Sequence, residues 1–570
     1  MHLGRESMRS PTPRLPAVMA SLVLGFVALA ASCADDNSSS GTDSKAPVTD
    51  DSTNVASEVS SPTSAATEEP FSFSVGLAEP TAIDPALIYD IEGGQVVRLL
   101  FQNLVTLSPE LELEPGVATD WSVAEDGVTW TFNLSPDAKY SDGRAVIADD
   151  FVFAFARVAD PDLAATSAYQ GLPIAGWGEV NSGEPSGSIG DVPISGVTAV
   201  DDFTLTVVTE QPFALLPKVL TYPMFAPVPE EFVDSEKKAA AFLEQPMGNG
   251  PYMMAEPWQH NEGITVVRNP EFNGDPGRAD TIEFRIYGEL STAVKDFQAG
   301  NLDIARLLPS EVIADTLEAY PDTFVATRTG VLSYVGFPTN VAPFDNPDIR
   351  RAFSLAIDRE ALAERVWEGT QSPATGVVPP LAPGALEGTC EFCRFDPVAA
   401  KALFDAAGGI PGNSMVFYDI AEDGTAGLDP ILNSWREIFG IEIEVRTFEF
   451  GQFLEETALG NAVGPFELGW AWDYPSGYSF LSPLFESTSD VNNLGWSNAE
   501  FDEQLRLARE AVDEEAGLEF LGAAQRIVES EVPLAPVTFA DDLGVHSDRL
   551  MNIVVDAGAM WRFELVEPTS

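Results

Sequence analysis

The sequence predicts a mixed α/β protein with a β-rich region near its beginning. Two patterns say so. From residue 396 onward, capped helical segments alternate with short apolar strands, the rhythm of a βαβ unit with parallel pairing. Between about residues 105 and 195, polar and apolar residues alternate between turn signals, the rhythm of antiparallel hairpins. The chain has 570 residues, enough for two or three domains, and 45% of them are hydrophobic, ample for large cores.

Taken in order, residues 1–32 read as a secretory signal. Arg5, Arg9 and Arg14 precede the apolar run LPAVMASLVLGFVALAAS. The run ends in LAAS followed by Cys33, which resembles a lipobox, the site where bacterial lipoproteins are diacylated on cysteine and cleaved just before it. Ala30 stands where leucine is usual. An ordinary signal peptide with an incidental cysteine is the alternative; exposed single cysteines are rare in exported proteins, which favours the lipoprotein. Residues 34–69 are mostly Ser, Thr, Asp and Ala, with almost no large apolar side chain. They cannot bury enough surface to offset chain entropy. Residues 33–69 are therefore expected to be a disordered tether between membrane and folded body. No later stretch is long and apolar enough to span a bilayer.

In the body, DWSVAEDGVTWTFNLSPDAKYSDG sets Val128, Trp130 and Phe132 in alternation. NPDIRRAFSLAIDREALAERVWEG is an amphipathic helical region from Asn346–Pro347 to Gly369. FDPVAAKALFDAAGG has Asp396 as helix N-cap, Pro397 at the first helical position and Gly408 just past the end. SMVFYD reads as a strand. LDPILNSWREIFG repeats the cap logic with Asp429, Pro430 and Gly440. In IEIEVRTF, Ile441, Ile443 and Val445 share one face.

Cys390 and Cys393 lie in CEFC. With Cys33 lipidated, an even pair remains in an oxidising compartment, and a short-loop disulfide is expected. A zinc half-site needs two more ligands, and only His2, His260 and His546 exist. A thioredoxin-type motif needs its first cysteine at a helix start, whereas the helix here starts at Asp396.

The formal net charge is −59. That argues against nucleic acid, whose phosphates would be repelled, and against charge-driven binding to anionic lipid. There is no glycine-rich phosphate loop, no GxSxG elbow and no HExxH. No cofactor or metal is expected. With 89 acidic residues, carboxylate pairs arise at any spacing by chance, so a glycosidase-style acid pair cannot be pointed at.

One stretch poses a problem. GWAWDYPSGYSFLSPLF, residues 469–485, gathers two tryptophans, two tyrosines and two phenylalanines around one acid, Asp473. An unpaired buried carboxylate is costly. No Lys or Arg lies between Arg446 and Arg506. Either Asp473 caps a turn among core rings, or a ligand brings the missing cation.

Seven blocks in this order resemble the solute-binding proteins of peptide ABC importers. The first is the stretch from DPALIYDIEGGQVVRLLFQNLV to DDFVFAFARV. PMGNGPYMMAEPW, AVKDFQAGNLDIA, APFDNPDIRRAFSLAIDREALAERV, CRFDPVAAKALFDAAG, WAWDYPSGYSFLSPLF and WSNAEFDEQLRLARE follow. The likeness runs from about Phe71 to near the C-terminus. The group is the oligopeptide- and dipeptide-binding family, which also has nickel- and sugar-binding members. The resemblance implies a two-lobed periplasmic-binding-protein fold with ligand engulfed between the lobes. It implies a first lobe of residues 70–105, 196–275 and 528–570, an inserted β-rich subdomain of 106–195, and a second lobe of 276–527.

The resemblance also assigns the ligand site. Asp473, followed by Tyr474 in the W–x–x–D–Y motif, is expected to pair with a peptide's free α-amino group. Trp470, Trp472 and Tyr334 are expected to line side-chain pockets. Backbone at Gly469–Ala471 and at Asp90, Ile91 and Glu92 is expected to pair with the extended ligand like a neighbouring strand. One departure stands out. Oligopeptide-binding relatives have arginines just before this motif that help hold the ligand's carboxylate; LGNAVGPFELG has none and places Glu467 in one such position. A longer peptide, a cationic or amidated ligand, or a non-peptide solute stays open.

The expected protein is a monomeric, membrane-anchored, extracytoplasmic receptor that passes peptide or a related solute to ABC permease subunits. A sensor on the same fold and an extracellular carboxylate hydrolase are the alternatives. The anchor is directly testable. Cys33→Ala should release the protein from the membrane fraction, since one residue carries the acyl chains and the tether is polar. A variant that still sediments with membranes contradicts the lipoprotein reading.

Overall fold

The computed structural model describes residues 70–569, apart from 89, 421–426, 449, 459–460, 490 and 512. The signal, Cys33 and the tether lie outside the described residues. Among the described residues, no helix is long and apolar enough to cross a membrane.

One eleven-stranded sheet runs through the body. Its order is Glu442–Phe448, Ser414–Ile420, Phe466–Ala471, Phe324–Gly336, Leu534–His546, Ile304–Arg306, Ser72–Leu77, Thr281–Ile286, Gly263–Arg268 and Tyr252–Met254; Gln371–Pro373 also pairs with Leu534–His546. Strands with helices in the connections sit at both ends, forming two lobes. The lobes share the strands Phe324–Gly336 and Leu534–His546, each of 13 residues. Residues 324–328 pair with 545–541, next to Ile304–Arg306. The register shifts between Arg328 and Val331. Residues 331–336 then pair with 540–534, next to Phe466–Ala471. The irregularity therefore falls at the crossing from one lobe to the other, where a break in the ladder permits bending.

The second lobe follows from its caps and spacing. Ser414–Ile420 and Glu442–Phe448 pair in parallel, with the helix Leu428–Phe439 between them. Its buried residues Leu428, Ile431, Leu432, Trp435 and Phe439 fall at helical spacing. Gly440 ends it in the left-handed region, at φ 68°. The helix starts one residue before Asp429, so Asp429 supports the first turn through the helix dipole and does not cap. Asp396 does cap its helix, accepting the Ala399 N–H at 2.9 Å.

The amphipathic region after Asn346 is two helices, Pro347–Leu355 and Arg359–Arg365. Asp358 caps the second, accepting the Ala361 N–H at 3.0 Å. Buried Arg359 fixes the corner by donating to the carbonyls of Cys393 at 2.7 Å, Pro536 at 2.6 Å and Ser354 at 3.1 Å. Burial with no carboxylate partner pushes its guanidinium down to about 9. The Cys390–Cys393 disulfide closes the loop that this arginine holds.

The β-rich piece is a four-stranded antiparallel sheet, ordered Ala118–Val123, Thr129–Leu134, Thr204–Val208, Val197–Asp201. Trp130, Phe132 and Leu134 are buried on its covered face. The pairing moves three expected boundaries. This sheet takes in residues 197–208, so the piece runs past 195. Thr281–Ile286 and Ile304–Arg306 pair with Ser72–Leu77, which puts them in the first lobe and not in a second lobe starting at 276. Residues 534–540 lie in the second lobe, not in the first. The physical reason is the same for the last two: the long strands make the crossing, each partway along its length.

Candidate ligand-binding site

The strand Phe466–Ala471 carries the aromatic motif to the junction of the second lobe and the inserted piece. One edge pairs throughout with 331–336. The other pairs, among the described residues, only at Phe466 with Tyr418. Beyond Phe466 the strand therefore offers an open ladder edge, and Gly469 and Ala471 are exposed along it. Such an edge is a template for an added extended chain.

After the strand the chain turns sharply and is held by Ser479. The Asp473 N–H donates to Ser479 Oγ at 2.8 Å, and Trp470 Nε1 donates to the Ser479 carbonyl at 3.0 Å. These bonds fix the partly buried Asp473 side chain opposite the inserted piece. There Tyr169 donates its hydroxyl to Asp473 Oδ2 at 2.8 Å, across 304 residues of sequence. No Lys, Arg or His pairs with Asp473 among the described residues. Burial pushes the carboxyl up to about 7, and the Tyr169 hydrogen bond offsets only part of that. The Tyr222 hydroxyl lies close by. Burial raises its pKa first, and the carboxylates of Asp473 and Asp90 raise it further. The arrangement gathers carboxylate and hydroxyl oxygens with no cation, which suits a positively charged guest.

Lys218 meets the turn through other groups. Lys218 Nζ donates to the Pro475 carbonyl at 3.1 Å and pairs with Glu514 at 2.7 Å. Phe213 packs edge-on against Tyr478, with ring centroids 6.0 Å apart. These contacts hold the turn that bears Asp473 against the first lobe.

Several expected site residues take other places. Asp90 is a helix N-cap: its carboxylate accepts the Gly93 N–H at 2.7 Å and its carbonyl accepts the Gly94 N–H at 3.1 Å. Ile91 and Glu92 open the helix Ile91–Leu100, so their backbone follows the helix and cannot pair as a strand. Glu92 faces buried Arg306 at 4.0 Å. Tyr334 is 2% exposed and packs in the core, between Leu468 and Pro536 in the sheet, so it is not an open pocket wall. Trp472 is also buried, with its ring against Gly330 at the register shift. A Cβ on Gly330 would come within 2.4 Å of that ring, so only glycine fits there. Tyr474 is buried beside the turn. Trp470, Gly469, Ala471 and Asp473 remain together at the open edge. Tyr169, Tyr222 and Ser479 complete the site. The first two lie far off in sequence, with no local signal that marks them.

Two lobes joined by a pair of shared strands, with an acid that has no cationic partner among the described residues near their junction, have the form of a binding protein. The chain belongs to family 5 of the bacterial extracellular solute-binding proteins, whose middle-region model matches residues 112–492, more than half of the sequence. Over 489 residues it is 28% identical to the dipeptide-binding protein DppE of Bacillus subtilis, covering 84% of this chain and 88% of DppE. Over 495 residues it is 28% identical to the oligopeptide-binding protein OppA of the same organism, covering 84% and 89%. The solved structure of the Escherichia coli murein tripeptide binding protein MppA matches with a TM-score of 0.77 and 25% identity, over 88% of this chain and 99% of MppA. Members of this family bind solutes and are not enzymes, which removes the hydrolase alternative.

The raised carboxyl has a signed consequence. In the unfolded chain Asp473 titrates near ~3.9; in the folded, empty protein it titrates at about 7. Between these values the folded state keeps a proton that the unfolded state has lost. Stability of the empty protein therefore falls as pH rises from about 4 to about 7. Asp473→Asn should abolish that loss. By calorimetry the empty variant should melt above wild type near pH 8 and converge with it near pH 4. A variant melting below wild type near pH 8 contradicts this account of the site.

Proposed function

We propose that this protein captures peptides by their free amino terminus between its lobes and hands them to an ABC import permease. Acylation of Cys33 holds it to the membrane from outside, and it works as a monomer. The observation that carries this reading is Asp473, an acid with no Lys, Arg or His partner among the described residues, whose carboxylate accepts from the Tyr169 hydroxyl. A ligand ammonium supplies the missing charge, and a site of low polarity strengthens the pair. The open edge at 467–471 supports the reading, since an extended peptide anchored at Asp473 can continue along it as an added strand. Such contacts use backbone and suit many side chains. The peptide-binding relatives DppE and OppA support the same ligand class.

A second reading, a cationic solute that is not a peptide, is favoured by one feature. The stretch 459–469 has no arginine to meet a ligand carboxylate.

Titration calorimetry on two proteins with two ligands separates these. Breaking one side of a buried ion pair costs about 3–5 kcal/mol, or roughly two to four orders of magnitude in affinity. Asp473→Asn should lose that much for a free-amine peptide. N-acetylation should cost wild type a comparable amount and the variant little more, because both changes remove the same pair. Equal affinity of wild type and Asp473→Asn for the unmodified peptide refutes the reading.

A further inference from the structure

We infer that Lys218 is a positioning residue that clamps the Asp473 turn to the first lobe and so sets how long a captured ligand stays; the inference rests on the two-lobed capture proposed above. Lys218 lies on the short helix Leu216–Val219. Its segment belongs to the first lobe. Asn103 Nδ2, just past the helix Ile91–Leu100, donates to the carbonyls of Leu220 at 2.9 Å and Tyr222 at 2.6 Å. From there the ammonium reaches two segments of the second lobe at once. Nζ donates to the Pro475 carbonyl at 3.1 Å and to Glu514 Oε1 at 2.8 Å. Pro475 stands two residues past Asp473. Glu514 opens the helix Glu514–Glu531, whose N-cap Asp513 accepts the Ala516 N–H at 2.9 Å.

Each partner is tied to its own side. In the turn, the Gly477 N–H donates to the Pro383 carbonyl at 2.8 Å and the Asp473 N–H to Ser479 Oγ. The first-lobe segment grips this turn twice, through Lys218 at Pro475 and through the Phe213 ring at Tyr478. The Lys218 side chain is 14% exposed and that of Glu514 29%, so water competes only in part for the pair. Glu514 takes the lysine's charge, and Asp473 has no Lys, Arg or His partner among the described residues. The clamp thus holds the turn and leaves its acid for a guest. If the lobes part, Nζ leaves both oxygens together, and water then solvates each of them at little cost. Lys218 therefore favours the joined arrangement over the parted one without touching the ligand. Its loss acts on release of the ligand and not on capture.

The test measures association and dissociation rates of tetra-alanine by stopped flow, with small-angle scattering of the empty proteins. Lys218→Met should speed dissociation about 5–30-fold, the scale of one charge-assisted hydrogen bond and a partly screened ion pair, with the association rate unchanged. Glu514→Gln should show part of that rise, and the double variant no more than Lys218→Met alone, because Glu514 acts through Lys218. The empty variants should have a larger radius of gyration than wild type. An unchanged dissociation rate overturns the inference. So does a loss confined to association, which means that Lys218 only shapes the site. If Lys218→Met fails to fold, Glu514→Gln decides by the same rates. If wild type binds N-acetylated and free tetra-alanine alike, the amino-terminus reading fails, while the clamp, which touches no ligand atom, is still judged by these rates. If wild type does not bind tetra-alanine at all, the peptide reading fails, and equal radii of the empty proteins then overturn the clamp as well.

Discussion

A carboxylate at the junction of the second lobe and the inserted piece, with no cationic partner among the described residues, is the constraint on which the rest of this structure depends. Asp473 is fixed by Ser479 and reached by Tyr169, which sits in a different part of the fold. Its environment keeps the proton on at a pH where an exposed aspartate has lost it. In this environment the charge on Asp473 is suppressed. A guest that restores the charge gains the ion pair and removes the cost of suppressing it.

The scaffold suits that role. Two long strands belong to both lobes, and their register shifts where they cross. At that shift Gly330 lies against Trp472, the residue just before Asp473, while its N–H donates to the Ala557 carbonyl at 2.7 Å. The hinge and the binding turn therefore touch. Away from the cleft, buried polar ties cross the lobes. Asp84 and Arg157 form a buried pair that ties the segment before the helix Ile91–Leu100 to the helix Ala148–Ala159, and Arg359 ties the disulfide loop to a crossing strand.

Much of this was legible in the sequence, and the limit is physical. Caps and periodicity speak about a few residues at a time, so Asp396, Gly440 and the parallel pair 414–420 with 442–448 could be read directly. The aromatic stretch around Asp473 raised the right question because its lack of basic neighbours is also local. Lobe boundaries were misplaced because they depend on which distant strands pair, as with Thr281–Ile286 against Ser72–Leu77. Asp90 and Glu92 were expected on an extended segment, but the Asp90 cap starts a helix there. Tyr169 and Tyr222 carry no local signal, because only folding brings them to Asp473.

The most direct measurement is the titration of the Asp473 carboxyl itself, by NMR of protein carrying ¹³C-labelled aspartate carboxyls, with the signal assigned by its loss in Asp473→Asn. The account predicts a midpoint at about 7 in the empty protein. With a saturating free-amine peptide the midpoint should fall below the ordinary aspartate value of ~3.9, because an adjacent ammonium favours the ionised form. A midpoint that stays where it was when peptide binds would contradict the claim that the ligand supplies the missing cation.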